Sequence, residues 1–288
     1  MEKYFFTKMS GAGNDFILFD REVNPRLHLK PGIIRKLCDR RNGIGADGVI
    51  TITDSKKLDF EMEYFNADGS TGSLCGNGSR CAIKFAEITG RIKNGSASFV
   101  SNKKYYSGKI IDGNHVSFFL NSPEDLRLEF TLSAFGYSMK ANFINTGSPH
   151  VVIDINNIVK DISQVNSGFK NIIEVPVIGI GREIRYLNEF APEGTNVNFM
   201  TLENKKILIR TYERGVEDET LSCGTGAVAT AIIASINYGI KPPVNLLTHG
   251  GDILIVDFER RDKKLENLSL TGPVKIVFTG EVQGTIFV

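Results

Sequence analysis

Two cysteines in this chain each stand directly before a glycine-rich segment that leads into a helix-like sequence. Cys75 opens Cys-Gly-Asn-Gly, and Cys223 opens Cys-Gly-Thr-Gly. A helix N-terminus leaves about four backbone N–H groups unpaired and carries roughly half a positive charge. Glycines let a ligand approach closely and permit a positive φ, so a carboxylate binds well at such a point. A thiol at the same point is favoured as its thiolate.

Two such cysteines in one chain predict a paired function. One sulfur, as thiolate, removes the proton from the α-carbon of a small acid, and the other, as thiol, delivers a proton to the opposite face. This chemistry inverts the configuration and needs neither a metal nor pyridoxal. Because the developing carbanion charge flows into the carboxylate, two helix N-termini aimed at those oxygens would stabilise it. A free thiol is only a few per cent ionised at neutral pH, so the helix ends are expected to raise that fraction.

Alternative roles for the cysteines are packing, redox chemistry and metal binding. Cys38 and Cys81 lie in helical patterns and are predicted to pack as small apolar side chains, and packing remains an alternative for Cys75 and Cys223. The chain has no Cys-x-x-Cys pair for a redox disulfide. A zinc site needs about four closely spaced ligands, whereas the histidines here are scattered, so we predict no metal site. The histidines are His28, His115, His150 and His249.

The elements around the cysteines predict a mixed α and β fold with many short strands. Helices are predicted at 31–40, from about 79 to 89, and at 227–238, the last two ended by glycine. The helix at 227–238 is apolar nearly all round, which predicts burial. Segments 174–185 and 195–200 are predicted as strands around turns.

An internal duplication is indicated by two pairs of similar segments. Residues 13–20 (GNDFILFD) align with 147–154 (GSPHVVID), and residues 65–90 resemble 212–239. Chance remains an alternative for either pair alone, but both occur in the same order. We therefore predict two similar α/β domains that face each other, with the two cysteine loops meeting at the junction. The polar stretch 121–127 is a candidate joint.

Composition excludes several classes of protein. The 288 residues are 41% hydrophobic and 23% charged, which is typical of a soluble globular chain and not of a disordered, collagen-like or coiled-coil one. Lys+Arg total 34 and Asp+Glu 33, so the net charge of +1 gives no bulk attraction for nucleic acid or a membrane surface. We find no apolar run of signal-peptide or membrane-span length. The expectation is a cytoplasmic protein with a small-molecule substrate.

Several segments together resemble the diaminopimelate epimerases, pyridoxal-independent isomerases that interconvert LL- and meso-diaminopimelate for lysine and peptidoglycan-precursor biosynthesis. The most specific are CGNGSRC (75–81) and YERGVEDETLSCGTGA (212–227), with GAGNDF (11–16) and TGPVKIVFTGEV (271–282) in support. The resemblance implies an α/β (α+β) fold of two pseudo-symmetric mixed-sheet domains, each wrapped around a central helix. The expected halves are 1–121 with 276–288, and 122–275. It also implies a homodimer and no cofactor.

The resemblance assigns roles residue by residue. Cys75 and Cys223 match the two acid/base residues, and His150 matches a histidine that tunes them. The residues that match contacts to the α-carboxylate are Gly76, Asn77, Gly224 and Thr225. The residues that match contacts to the rest of the substrate are Asn14, Asn66, Ser148, Asn196, Glu213 and Arg214.

Several of these residues also have a purely structural interpretation. Asn14 and Asn66 fit turns on backbone grounds alone. Glu213 and Arg214 fit a solvated surface pair, and His150 fits a structural turn residue.

Two positions depart from the family pattern. Gly48 stands where many members have Gln, and Ser148 stands where many have Asn. Neither change removes a catalytic group, but both bear on substrate specificity. The alternative functions are therefore a racemase of another or a broader set of amino acids and, more distantly, a non-catalytic amino-acid-binding protein.

Overall fold

The computed structural model divides into two compact units, Met1–Phe119 with Thr271–Val288, and Leu120–Leu270. They are called unit 1 and unit 2 below. The structure describes residues 2–72, 75–160, 168–203, 206–261 and 264–287. Residues 73 and 74, in the duplicated segment before Cys75, lie outside this set.

The described residues form four α-helices and eighteen strands. The helices are α1 Pro31–Cys38, α2 Gly76–Ile88, α3 Val177–Arg185 and α4 Gly224–Tyr238. The strands are β1 Lys3–Gly11, β2 Asn14–Asp20, β3 Gly48–Thr53, β4 Phe60–Asn66, β5 Ser96–Ser101, β6 Lys104–Ile110, β7 His115–Phe119, β8 Glu124–Ala134, β9 Tyr137–Asn145, β10 Pro149–Asp154, β11 Ile158–Val159, β12 Asn196–Glu203, β13 Lys206–Glu213, β14 Asp218–Thr220, β15 Val244–Thr248, β16 Ile253–Arg261, β17 Lys264–Pro273 and β18 Lys275–Gln283. Short 3-10 helices occur at Ile155–Asn157, Ile172–Glu174, Asn188–Phe190 and Gly284–Phe287.

Unit 1 contains a mixed sheet. β1 pairs antiparallel with both β2 and β18, and β2 runs parallel to β3. β3 is antiparallel to β4, β4 is parallel to β5, and β5, β6 and β7 continue as an antiparallel meander. The parallel pairs need crossover connections, and α2 lies in the connection between β4 and β5.

Unit 2 contains a mixed sheet of similar plan. β9 pairs antiparallel with β8 and β10, β10 runs parallel to β12, and β12 is antiparallel to β13. β13 is parallel to β15, and β15 is antiparallel to β16. Here α4 lies in the connection between β13 and β15, as α2 does between β4 and β5.

Each unit is built around one helix. α2 packs against β1, β2, β3, β4, β6 and β7, and α4 packs against β9, β10, β12, β13, β15 and β16. Ten of the thirteen residues of α2 are buried, and every residue of α4 from Gly224 to Ala234 is buried. The expected α+β class, with mixed sheets around a central helix, is confirmed, as is the burial of the apolar helix at 227–238.

Both central helices begin three residues before their predicted starts, at Gly76 and Gly224. The glycines after each cysteine are therefore helical residues, not turn residues with a positive φ. Their small size has a packing reason in unit 2, where a Cβ at Gly226 would lie 2.2 Å from Asn198 Oδ1. Gly239 does take the left-handed conformation, with φ of 67° at the end of α4.

The strand predicted within 174–185 is wrong, because this segment forms α3. The alternation of apolar residues suggested a strand, but Val177, Ile180 and Ile184 recur at helical spacing. All three are buried in the hydrophobic core of unit 2. Burial of this face against β12 and β13 decides in favour of the helix.

Within the described residues, no helix combines the length and the hydropathy that a membrane crossing requires.

Candidate active site

Cys75 is the N-cap residue of α2, the last extended residue before the helix. Its sulfur accepts a hydrogen bond from the backbone N–H of Gly78 at 3.3 Å. The thiol is only half-buried. The helix end therefore acts on the sulfur through a direct backbone donor as well as through its dipole, and both favour a negative sulfur.

Asn77 lies in the first turn of α2, and its amide orientation is fixed from both sides. Its Nδ2 donates to Asn14 Oδ1 at 2.6 Å, and its Oδ1 accepts from Arg80 at 2.9 Å. Arg80 is fully buried. The structure thus joins the predicted residues Asn14 and Asn77 directly and adds a buried positive charge one turn inside the helix.

The sequence interpretation passed over Arg80, although the residue stands inside CGNGSRC. The available signal was a charged residue on a helix that is otherwise apolar or small there. Burying a guanidinium costs several kcal/mol unless it is compensated. A buried arginine in the first turns of a helix therefore points to an electrostatic role.

Asn14 is in turn fixed by a cluster of charged residues in unit 1. Its Nδ2 donates to Asp47 Oδ2 at 3.0 Å. Arg40 bridges Asp47 and Asp15 at 2.7 and 2.8 Å, and the buried Lys8 pairs with Asp15 at 2.8 Å. Arg40 and Lys8 lower the pKa of Asp15 against the opposing effect of burial. The cluster keeps the Asn14 carbonyl directed at Asn77.

Asn66 lies at the end of β4, directly opposite Gly48 of β3. Its Nδ2 donates to Ser70 Oγ at 3.0 Å across a tight turn. Asn66 is partly exposed and lies on the same sheet as Asn14, but no direct bond between the two is among the described contacts.

Cys223 is the N-cap residue of α4, as Cys75 is of α2. It is buried, with 7% of its surface exposed, and its side chain caps no backbone N–H of the helix. The Cys223 sulfur instead lies 3.7 Å from Thr225 Oγ1, within sulfur hydrogen-bond distance. The Thr225 hydroxyl therefore contacts the Cys223 sulfur, whereas a backbone N–H contacts the Cys75 sulfur.

Thr225 links Cys223 to His150. His150 Nε2 lies 2.9 Å from Thr225 Oγ1 and 3.1 Å from Ser148 Oγ. His150 is fully buried, and burial, together with the charge of Arg214, lowers its pKa to about 3. The imidazole is therefore neutral at physiological pH and bears on Cys223 through hydrogen bonds, not through a positive charge.

Asn198 sets the tautomer of His150. Its Oδ1 accepts from the Thr211 hydroxyl at 3.0 Å, and its Nδ2 donates to the Val151 carbonyl at 2.9 Å. The same Nδ2 lies 3.1 Å from His150 Nδ1, which must accept. The proton therefore sits on Nε2, facing Thr225 and Ser148. The sequence analysis missed Asn198. The sign that could have revealed it is a polar residue at a core position of a strand.

Ser148, Asn196 and Arg214 form a second hydrogen-bonded group beside His150. Asn196 Nδ2 donates to Ser148 Oγ at 3.0 Å, and Asn196 Oδ1 accepts the backbone N–H of Arg214 at 2.9 Å. Burial, and then the positive charge of Arg185, lower the pKa of Arg214. The guanidinium stays charged and lies partly buried, which argues against a simple solvated surface residue.

Glu213 stands at the end of β13, next to Arg214. Its Oε2 accepts from the Thr220 hydroxyl at 2.8 Å. This bond connects Glu213 to β14. Unit 2 therefore groups six of its predicted residues and holds Glu213 and Gly224 adjacent to that group in the chain. The six are Ser148, His150, Asn196, Arg214, Cys223 and Thr225.

The other two cysteines are buried and unreactive in character. Cys81 is fully buried in α2, and burial raises the pKa of its thiol to about 12. Burial likewise raises the pKa of Cys38 to about 12. Both residues are buried, as expected of packing side chains, and their role remains a prediction. Across the part of the chain that the structure describes, no cluster of three or more His, Cys, Asp or Glu side chains has metal-binding geometry.

Sequence comparison identifies one family along most of the chain. The family model for diaminopimelate epimerase matches residues 6–103 and 142–277. A diaminopimelate epimerase of Aquifex aeolicus is 40% identical over 289 residues, covering 96% of this chain and 97% of that relative. One of Chlorobaculum tepidum is 36% identical over 277 residues, covering 95% and 99%.

Structure comparison shows the same fold in more distant proteins. A PhzF-family phenazine biosynthesis protein of Bacillus anthracis matches with a TM-score of 0.71 at 12% identity, covering 98% of this chain and 100% of that one. A probable proline racemase of Agrobacterium radiobacter K84 matches with a TM-score of 0.70 at 13% identity, covering 97% and 93%. At such identities the likeness concerns the fold alone.

Proposed function

The chain belongs to the diaminopimelate epimerase family, and from that premise we propose that it interconverts LL- and meso-diaminopimelate without a cofactor. It is an isomerase by family. The observation that carries the proposed chemistry is that a cysteine is the N-cap residue of the central helix in each unit. The proposed place of the reaction is lysine and peptidoglycan-precursor biosynthesis.

The proposed mechanism uses two bases. One cysteine, as thiolate, takes the α-proton and becomes a thiol, while the other, as thiol, gives its proton to the opposite face and becomes a thiolate. The substrate is inverted, and the enzyme is left with the two protonation states exchanged. The sulfurs then exchange protons with solvent, which resets the two states for the next forward turnover with no net consumption of acid or base.

We propose that the first turn of α2, and likewise the first turn of α4, can hold an α-carboxylate. Gly76 and Asn77 in one helix, and Gly224 and Thr225 in the other, supply backbone N–H groups that α-helices leave unpaired within the helix. Negative charge that develops on the carboxylate in the transition state is stabilised there more than in the ground state.

The distal end of diaminopimelate is itself an amino acid and needs partners of both signs. We assign its carboxylate to Arg214 and its ammonium to Glu213, with amide contacts from Asn14, Asn66 and Asn196. The hydrogen bond from the Arg214 backbone to Asn196 supports this grouping.

A broader amino-acid racemase is the second candidate, and one observation favours it. The Ser148 hydroxyl lies within hydrogen-bond distance of both His150 Nε2 and Asn196 Nδ2. A hydroxyl engaged in this way is a weaker substrate ligand than a longer amide would be. Looser distal recognition would then admit other amino acids.

A homodimer is proposed from the family and from one exposed strand. Ile276, Val277 and Phe278 of β18 are 41%, 49% and 46% exposed, an apolar run that a second copy would cover. Light scattering on the purified protein checks this, and a monomer at micromolar concentration would contradict it.

We also propose a cytoplasmic location, which fractionation of cells checks.

The experiment that tests the proposed function is epimerisation of LL-diaminopimelate in heavy water. We expect meso-diaminopimelate to accumulate with deuterium at the inverted α-carbon. The same assay with glutamate, histidine and proline separates the strict epimerase from the broader racemase. Absence of deuterium incorporation with every amino acid would contradict both and support a binding protein.

A further inference from the structure

We infer that Tyr64 is a specificity-determining residue for the distal end of the substrate, a role that rests on the proposed function. The Tyr64 ring occupies the space that a side chain at position 48 would fill, beside Asn66. In unit 1, the distal part of the proposed substrate site is therefore bordered by the Tyr64 ring. No side chain at position 48 contributes to it.

The sheet face in question is the one that meets the start of α2. Asn14 hydrogen-bonds that helix at 2.6 Å, and Ile50 Cδ1 would lie 3.1 Å from a Cβ at Gly78. Alternate residues of a strand share a face. Phe16 therefore lies on this face with Asn14, and Gly48 lies on it with Ile50.

A row of three paired residues crosses this face from β2 to β4. Phe16 pairs with Gly48, and Gly48 pairs with Asn66. Tyr64 pairs with Ile50 in the next row, so its side chain is on the same face. The middle residue of this row, Gly48, has no side chain. It lies diagonal to Tyr64, at a distance that an aromatic ring can span.

The Tyr64 ring leans over that middle position. A Cβ at Gly48 would lie 2.6 Å from Tyr64 Cε2, and one at Gly72 would lie 2.2 Å from Tyr64 Cδ1. The ring also meets Phe16 edge-on, with centroids 6.0 Å apart and planes at 78°. Two glycines and one phenylalanine thus fix where the ring lies. A Cβ at Gly48 would in addition lie 2.6 Å from the Phe65 carbonyl oxygen, so position 48 accepts no side chain.

The ring and the Asn66 amide lie beside each other. The Cβ position of Gly72 that would collide with the ring lies 3.2 Å from Asn66 Oδ1. An aromatic surface there packs against the methylene groups of a substrate side chain, and its face attracts an ammonium group. The ligand class that this wall selects is an amino acid whose aliphatic side chain ends in an ammonium-bearing group.

The test measures kcat and KM for diaminopimelate in Tyr64→Ala, Gly72→Ala and the double variant. Tyr64→Ala should raise KM about tenfold and leave kcat within about threefold, because it removes binding that is the same in the ground and transition states. In Gly72→Ala the added methyl displaces the ring, so KM should rise similarly. The double variant should add nothing further, since both changes act through the ring.

Two variants serve as controls. Tyr64→Phe keeps the ring and should recover most of the affinity that Tyr64→Ala loses. Tyr105→Ala removes a tyrosine of the same unit that is 71% exposed and should change neither constant. If Tyr64→Ala does not fold, Tyr64→Leu carries the same expectation of a raised KM.

A folded Tyr64→Ala or Tyr64→Leu protein with wild-type KM would overturn this inference. So would a strictly additive double variant, because it would show that Gly72 acts independently of the ring. A wild-type protein that does not epimerise diaminopimelate would instead overturn the proposed function, so the two failures are distinguishable.

Discussion

The starts of α2 and α4 share a cysteine N-cap and differ in the burial and described polar neighbours of the sulfur. At α2 the sulfur is half-buried, accepts a backbone N–H from Gly78, and has the buried guanidinium of Arg80 one turn away. At α4 the sulfur is buried, and its described polar neighbour is the Thr225 hydroxyl, which is backed by His150.

The difference teaches that two similar helix starts provide different environments for a thiolate. The α2 end offers a fixed positive charge and a backbone donor, neither of which changes with pH. The α4 end offers a hydroxyl whose orientation depends on a neutral imidazole. A charged His150 would add a second cation beside Arg214, and the lowered pKa of His150 prevents this. The two ends are thus related in fold and unequal in electrostatics.

The largest expected effect comes from removing either sulfur. Cys75→Ala and Cys223→Ala should each lower kcat/KM for diaminopimelate by about 10³-fold or more, because each removes a general acid/base. Cys81→Ala is the matched control, since Cys81 lies in the same helix as Cys75 but is fully buried, and its activity should stay within about threefold of wild type. Equal losses in Cys81→Ala and Cys75→Ala would refute the assignment. Steady-state kinetics and thermal melts of all three variants provide the measurement.

The next effect concerns the buried charge at α2. Arg80→Met should lower kcat/KM by about 10²-fold, because it releases Asn77 and removes positive charge from the helix end. Arg80→Lys should recover part of the activity. Alkylation of Cys75 by iodoacetamide should slow in Arg80→Met, while alkylation of Cys223 should not. Arg91→Met removes another arginine of unit 1, one that pairs with Asp20 at 2.7 Å, and should leave both alkylation rates unchanged. Equal slowing at both cysteines would contradict a local role for Arg80.

A smaller effect is expected from the hydroxyl at α4. Thr225→Val removes the group between His150 and Cys223 and should lower kcat about tenfold, the effect of one hydrogen bond of about 1.4 kcal/mol. Thr225→Ser keeps the hydroxyl and should remain close to wild type. Mass-spectrometric alkylation rates should show slower reaction at Cys223 in Thr225→Val alone. If Thr225→Val had the same kinetics as Thr225→Ser, the proposed role of the Thr225 hydroxyl would be contradicted.

The last effect is on stability, not activity, as a function of pH. The folded-state pKa of His150 is about 3, below the ordinary value, so the unfolded chain binds one more proton in mildly acidic solution. The free energy of unfolding should therefore fall as the pH drops below about 6.5, by up to about 1.4 kcal/mol per pH unit from this residue. His150→Gln should show a shallower fall. Urea denaturation of both proteins at pH 7, 6 and 5 measures the two slopes, and identical slopes would contradict a neutral buried His150.

The two central helices were predictable because their signals are local, although each begins three residues before its predicted start. A cysteine, two glycines and an apolar run specify an N-cap and a helix from neighbouring residues alone, and α2 and α4 both follow that pattern. The prediction of a strand at 174–185 failed, because its periodicity fits two structures and only packing against β12 and β13 decides between them.

The surroundings of each sulfur were less predictable, because they depend on residues distant in sequence. Arg80 reads as an ordinary surface charge until the fold buries it. His150 and Asn198 are 48 residues apart, and only the parallel pairing of β10 with β12 brings them together. Burial then determines the ionisation of His150, a property that no local pattern contains. The roles of these residues remain predictions for the experiments above.

The pairing of β1 with β18 has a consequence for the order of events during protein synthesis. β18 is made after the whole of unit 2, and β1 lies between β18 and β2. Unit 2 is one continuous stretch of chain and is complete before that strand emerges, whereas the sheet of unit 1 lacks this strand until β18 has been made. Unit 1 therefore begins first and is completed last, and loss of β18 would remove from its sheet a strand that pairs with β1.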